Sequence, residues 1–320
     1  MTRRHALAAV LSLAGCSHDT GPYPSREIRL IVQAAPGGLS DTVSRIAASI
    51  MEKELGVPVV CENKPGAAGA LAFSYVARQA PDGYTIGHAA VELTMVRSLG
   101  FANVGPEDTD LLALVSKAQP AIAVLPDSPW RTLADFVEAT RAKPGYYVVG
   151  NSGTGSIWHI NALLLERNAR APLIHCPFSG SSGSITALLG GHIDAAVAAA
   201  GELIPQVKAG RVRVLAVFGK QRSPVMPEAA ASAEQGYDFG ADAWSGFYAP
   251  RGLDPAVRAK LTKAVASAFA SDAFQQVCRE RGLEPALLEA GAFDAFARKE
   301  AAFYDGTLPS LLRGEPGEKP

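Results

Sequence analysis

The segment Leu30-Ile-Val-Gln-Ala-Ala-Pro-Gly-Gly-Leu-Ser-Asp-Thr, residues 30–42, constrains the fold more than any other stretch. A short apolar run stops at Pro36-Gly37-Gly38, Ser40 and Asp41 follow, and apolar residues then recur at helical spacing. A strand that feeds a glycine loop into a helix is the building unit of an α/β fold. The helix start gathers free backbone N–H groups and the positive end of the helix dipole, so an anion fits there. A second loop of this kind, Gly150-Asn-Ser-Gly-Thr-Gly-Ser156, lies far along the chain. Two anion-friendly loops with no nucleophile between them point to capture of a small carboxylate rather than chemistry on it.

The alternation continues around both loops. Strands are expected at Ile28–Val32, Val57–Cys61, Thr85–Ala89 and Pro120–Leu125, then at Tyr146–Gly150, Leu173–Cys176, Ile193–Val197 and Val212–Phe218. Helical spacing covers Thr42–Leu55, with Asp41 as N-cap and Gly56 as stop, and the segment from Pro65-Gly-Ala-Ala-Gly69 through Ala80. It also covers a helix capped by Thr132, then Trp158–Arg167, Ser184–Leu189 and Glu202–Lys208. Repeated βα units predict largely parallel sheets flanked by helices. From Asp254 onward the chain reads as mostly helical, over Ala256–Ala270 and Phe293–Tyr304.

The first residues address export. Arg3-Arg4, the apolar stretch Ala6–Leu13 and Ala14-Gly15-Cys16 form a signal peptide over residues 1–15, too short for a membrane span. Leu13-Ala-Gly-Cys16 resembles a bacterial lipobox, which implies cleavage before Cys16 and a lipid on its sulfur. The alternative is ordinary cleavage before Tyr23. Residues 16–24 then form a tether. Three cysteines remain, Cys61, Cys176 and Cys278, at spacings that match no zinc site. A net charge of −1 gives no electrostatic reason to expect nucleic acid. Roughly 300 exported residues suggest two domains or one large one.

Six motifs occur in order along the rest of the chain. They are Ile28–Asp41, Glu62-Asn-Lys-Pro-Gly-Ala-Ala-Gly69, Pro81-Asp-Gly-Tyr-Thr85, Gly153-Thr-Gly-Ser156 with His159, Leu188-Leu-Gly-Gly-His-Ile-Asp194 and Trp244-Ser-Gly-Phe-Tyr-Ala-Pro250. Together they resemble the Bug-type extracytoplasmic receptors of tripartite tricarboxylate transporters. The resemblance implies a two-lobed, type II-like periplasmic-binding-protein fold with ligand in the interdomain cleft. Lobe one would take residues 25–122 and 245–320, and lobe two residues 123–244. It further implies permease subunits as membrane partners, a monomer anchored by its N-terminal lipid, and no cofactor.

Site residues follow from the loops. In lobe one, Pro36, Gly37, Gly38 and Ser40 would present N–H groups and a hydroxyl to a carboxylate, with Asp41 bracing the helix start and Gly66 in a neighbouring loop. Helix initiation without ligand contact is the other reading of that neighbour. In lobe two the candidates are Ser152, Gly153, Thr154, Gly155, Ser156 and His159, then Ser179, Gly180 and Ser181. For His159, a structural hydrogen bond stands beside cleft contact. His88, Glu92 and Ala199–Gly201 follow strand ends and could add contacts. Relatives often carry Tyr-Lys-Gly where this chain has Phe178-Ser179-Gly180, and an aromatic where Ala34 stands. Both departures separate its ligand from that of any one relative.

Two further functions stand beside the receptor reading. An exported enzyme lacks support: neither serine-rich loop has a Gly-x-Ser-x-Gly elbow, and the six histidines form no metal-ligand pattern. A receptor that signals through a sensor protein has no sequence feature that separates it from a transport receptor.

Overall fold

The computed structural model describes residues 22–314. The signal peptide 1–15, the lipidation site Cys16 and most of the 16–24 tether lie outside the described residues.

In chain order the elements are β1 Ile28–Val32, α1 Leu39–Leu55, β2 Val59–Asn63, α2 Ala70–Ala77, β3 Thr85–Ala90, β4 Thr109–Ala118 and β5 Pro120–Val124. Then come α3 Leu133–Ala142, β6 Val148–Asn151, α4 Ile157–Ala169, β7 Ile174–Pro177, α5 Ser181–Leu189, β8 Ala195–Ala199, α6 Ala200–Lys208 and β9 Arg213–Val217. The chain ends with β10 Ala243–Pro250, α7 Pro255–Ala270, α8 Asp272–Arg281, β11 Glu284–Glu289 and α9 Ala290–Leu312. Single 3-10 turns at Ala67–Gly69 and Val91–Thr94 follow β2 and β3.

These elements form two sheets, one per lobe, in the orders β11-β4-β10-β3-β1-β2 and β7-β6-β8-β5-β9. Both are mixed. β1 runs parallel to β2 and β3, and β6 parallel to β7 and β8, as βα units require. The strands that carry the chain between lobes run antiparallel to their neighbours: β4 and β10 in the first sheet, β5 in the second. Parallel sheet is therefore confined to the halves that bear the glycine loops.

Three elements depart from the sequence expectation. β4 is buried along almost its whole length, so it shows neither the alternation of a half-exposed strand nor a helical stripe. β11 interrupts the C-terminal region expected to be helical. It sits at the sheet edge, where Pro285 withholds no ladder bond that matters, and its register slips between Pro285 and Leu288. α8 is a separate helix capped by Ser271, whose side chain accepts the Phe274 N–H.

The chain leaves the first sheet after Ala118 and enters the second at Pro120. Gln119, between them, donates through Nε2 to the carbonyls of Phe218 and Gln221, and its own carbonyl accepts the Ala200 N–H. The returning strand is fixed just before β10, where Asn161 of α4 donates to the Ala241 carbonyl and accepts the Ala241 N–H. Both passages are thus tied by hydrogen bonds to lobe two. Cys61, Cys176 and Cys278 are all free thiols.

Candidate functional site

The lobe-one loop starts at the carboxyl end of β1. Gln33 is buried there and donates Nε2 to Ser40 Oγ at 2.9 Å, which leaves Gln33 Oε1 buried with no partner. Pro36, Gly37 and Gly38 are exposed. The helix opens earlier than expected. Gly38 takes the cap position and α1 begins at Leu39, so Asp41 is not the N-cap but lies in the first turn. Asp41 reaches back to accept the Gly37 N–H at 2.9 Å, receives Asn63 Nδ2 at 2.9 Å, and pairs with Arg45 one turn on. Asn63 also donates to the Ala34 carbonyl. Burial raises the Asp41 carboxyl, but Arg45, the Gly37 N–H and Asn63 outweigh it and hold the group below its ordinary range. Asp41 is a compensated brace, and the amides of Gly38, Leu39 and Ser40 belong to a first turn that has no intrahelical acceptor for them.

The neighbouring loop has an unusual backbone. Gly66, Ala67, Ala68 and Gly69 all have positive φ, at 136°, 47°, 50° and 88°. Alanines rarely adopt that region, so the turn carries local strain. A Cβ on Gly69 would lie 3.0 Å from Gln33 Cγ, which places this turn directly over Gln33. The turn packs in addition against Val91–Thr94, at the carboxyl end of β3.

The lobe-two loop repeats the plan at the end of β6. Asn151 is fully buried. Its Oδ1 accepts the Gly153 N–H at 3.0 Å, and its Nδ2 has no partner. Gly155 N–H goes to His159 Nδ1 at 3.2 Å, and the Ser156 side chain caps α4 by accepting the His159 N–H. His159 is therefore held neutral: burial, and next the adjacent His175, push it down to about 4. Ser152 and Gly153 are half-buried, and Thr154 is exposed. Phe178 packs close to Gly150, Gly153 and Gly183 and forms a wall shared by the lobe-two loops. Ser179 precedes Gly180, which caps α5, and Ser181 opens that helix with its hydroxyl bonded to Glu202.

The two lobes touch at these loops. A Cβ on Gly155 would meet Phe101 Cε2 at 2.6 Å and Leu99 Cδ1 at 3.1 Å, both from lobe one. Glu92, in the Val91–Thr94 turn, reaches across and accepts the Ile157 N–H of α4 at 3.1 Å. Gly201, at the start of α6, lies against the carbonyls of Arg281 and Gly282 at the end of α8. His88 stays out of this boundary. It is fully buried under α1 and bonds Ser44 Oγ through Nδ1 at 2.9 Å.

The structure thus gathers Pro36–Asp41 with Gly66 in one lobe, and Ser152–His159 with Ser179–Ser181 in the other, at the carboxyl ends of parallel strands. Gln33 and Asn151 were missed by the sequence reading. Each is a single polar residue closing an apolar strand, and only burial with an unmatched atom distinguishes it. Among the described residues no group of three or more His, Cys, Asp or Glu could hold a metal ion.

The family described as the Tripartite tricarboxylate transporter family receptor, TctC, matches residues 43–305. A UPF0065 protein of Bordetella pertussis is 32% identical over 290 residues, covering 89% of each chain. A TctC solute binding protein from Polaromonas, solved without ligand, superposes with a TM-score of 0.73 at 32% identity, covering 91% of this chain and 99% of that one. MatC from Rhodopseudomonas palustris, solved with bound malate, superposes with a TM-score of 0.79 at 26% identity, covering 89% and 99%.

Proposed function

Because the chain belongs to the tripartite tricarboxylate transporter receptor family, the Bug-type receptors, we infer that it closes its lobes on a small organic carboxylate and delivers it to the permease subunits of such a transporter. Its role is that of an extracytoplasmic solute-binding receptor, not an enzyme. The observation that carries the ligand reading is the pair of buried, half-satisfied side chains, Gln33 and Asn151. Each stands where a strand enters its glycine loop. Buried polar atoms without partners are rare in native proteins; a ligand carboxylate between the loops would accept from Asn151 Nδ2, and a hydroxyl or other donor of the ligand, or a bridging water, would serve Gln33 Oε1. The likeness to MatC supports a carboxylate.

In this reading Pro36, Gly37, Gly38, Ser40 and Gly66 receive one end of the ligand and Ser152–Ser156 with Ser179–Ser181 the other, while Asp41 and His159 hold the loops in shape. The receptor works as a monomer, tethered through a lipid on Cys16 after the signal peptide is removed. Cys16→Ser should then leave the protein in the soluble fraction. A thermal-shift screen against mono- and dicarboxylates, hydroxy acids and amino acids tests the ligand class, since a ligand that binds only the folded state raises Tm by mass action. A shift confined to carboxylates supports the reading. No shift from any of them, in a well-folded sample, sinks it.

A further inference from the structure

Helix α4 serves the glycine loops only at its start, where Ser156 caps it and His159 accepts the Gly155 N–H. Its far half lines a second groove, about 550 Å³ in volume, together with the end of α9. Leu163, Arg167 and Arg170 come from lobe two, and Leu311, Leu312 and Arg313 from lobe one. The groove therefore crosses the lobe boundary where α4 packs on α9. At 1.5 Å per residue, Leu163 to Arg170 sit about 10–20 Å along α4 beyond the Ser156 cap. The groove is thus separate from the glycine loops, and its volume is that of a small-molecule site.

Its lining joins apolar surface to unbalanced positive charge. Leu163 and Leu311 supply the apolar side, and Leu312 beside them is 44% exposed. Three arginines stand against one carboxylate, Glu166, and that one is bonded to His175 Nε2 at 2.7 Å. Among the described residues, Arg167 and Arg170 pair with no carboxylate. Arg167 is half-buried, and that burial lowers its pKa from the ordinary arginine value. A guanidinium drawn partly out of water without a counterion gains from an anion, and its planar fork matches a carboxylate.

We propose that this groove is a second ligand site, for a single-chain carboxylate with an apolar tail, its head on Arg167 and Arg170 and its chain along Leu163, Leu311 and Leu312. The site goes beyond the receptor reading and does not depend on it, since none of these residues belongs to the glycine loops. A short polar acid leaves the leucines in water, and an alcohol leaves the arginines without a counterion. The volume holds one short chain rather than the paired long chains of a phospholipid.

Isothermal titration at neutral pH on the soluble Cys16→Ser chain tests it with octanoate, 1-octanol and acetate. Octanoate should bind roughly tenfold or more tightly than either of the others. Gly38→Val, which obstructs the lobe-one loop, should leave octanoate binding unchanged. Arg167→Gln with Arg170→Gln should weaken it roughly tenfold, with Tm unchanged. Arg167→Lys with Arg170→Lys keeps both charges and should keep most of the affinity, which guards against a folding defect in the glutamine pair. Glu315 and Glu318 follow Gly314 in the sequence, so a chain ending at Gly314 is titrated alongside. No octanoate binding by the folded full-length chain, or equal binding of octanol, overturns the site. So does binding that Gly38→Val abolishes and the glutamine pair keeps, which would put octanoate in the cleft. Binding gained only by the shortened chain also overturns it, because the groove would then belong to the chain's own tail.

Discussion

Each of the two loop-helix units holds one of the protein's own carboxylates, both supplied by lobe one, and the two are treated in opposite ways. Asp41 on the Gly37 N–H is local, four residues away on the same loop-helix unit, and is matched by Arg45 and Asn63. Glu92 on the Ile157 N–H comes from the other lobe and has no matching cation among the described residues. Their electrostatics diverge accordingly. Asp41 is held below its ordinary range by Arg45 and its hydrogen bonds despite burial, whereas burial pushes Glu92 above its ordinary value against the pull of the Ile157 N–H. A charge balanced at home shapes a loop. A charge without a cation at a lobe boundary is held by one amide of the opposite lobe against the cost of its burial.

The sharpest way to break this comparison is to delete the balanced charge. Asp41→Ala strands Arg45, Asn63 and the Gly37 N–H together, and removing one partner from a buried hydrogen-bonded charge network costs about 3 kcal/mol. Urea unfolding should report that loss, and a loss below about 1 kcal/mol would mean that Asp41 does not brace the loop. Next in size comes Gly38→Val. Its Cβ would meet only the Ala35 carbonyl, at 3.7 Å, and Gly38 already has an ordinary extended conformation, so the fold should survive. The added bulk stands at the mouth of the lobe-one loop and should weaken ligand binding roughly a hundredfold, near 2.7 kcal/mol. Unchanged affinity would remove Gly38 from the site. Gly155→Val is the lobe-two counterpart and behaves differently. Its φ of +79° and the Phe101 ring at 2.6 Å predict about 2 kcal/mol of lost stability, with the lobes forced apart. A smaller or absent stability loss would show that the two loops tolerate bulk alike.

The lobe-one plan was legible because it is local. Strand, glycine turn, Ser40, Asp41 and helix are consecutive, and the only revision was the helix start, which moved from Thr42 to Leu39 once Gly38 took the cap. β4 was illegible because burial on both faces erases its periodicity, and β11 because a proline in a short polar-edged run reads as a breaker. At the lobe boundary, sequence could note that Glu92 follows a strand end. It could not pair Glu92 with Ile157, 65 residues away in the other lobe, because that contact depends on how two separately built sheets are set against each other. Gln33 and Asn151 were invisible for a related reason, since an unmatched atom is a property of the packed structure and not of the residue.

The smallest effect separates the two carboxylates by the sign of their pH dependence. A group whose folded pKa is depressed stabilises the protein above its unfolded pKa, and that contribution disappears as pH falls through the folded value. Asp41 belongs to this class, as its lowered pKa requires. Glu92 belongs to the other: its contribution is present below its unfolded pKa, near 4.5, and is lost as pH rises through the higher folded value. Acid must therefore weaken the Asp41 brace while relieving the Glu92 carboxylate at the lobe boundary. The acid limb is shared with two histidines held neutral, His88 pushed down to about 3 by burial and His159 to about 4 by burial and His175, each of which loses stability as pH falls below about 6.5. Glu92→Gln leaves that limb untouched and removes only the loss at higher pH. Thermal unfolding of the ligand-free protein between pH 4 and 8 should show the variant gaining on wild type as pH rises, by about 1 kcal/mol at the upper end, the scale of one uncompensated buried charge after local relaxation. A variant that falls behind wild type at pH 8 would show that Glu92 is stabilised as an anion in the free protein, and the contrast between the two lobes would vanish.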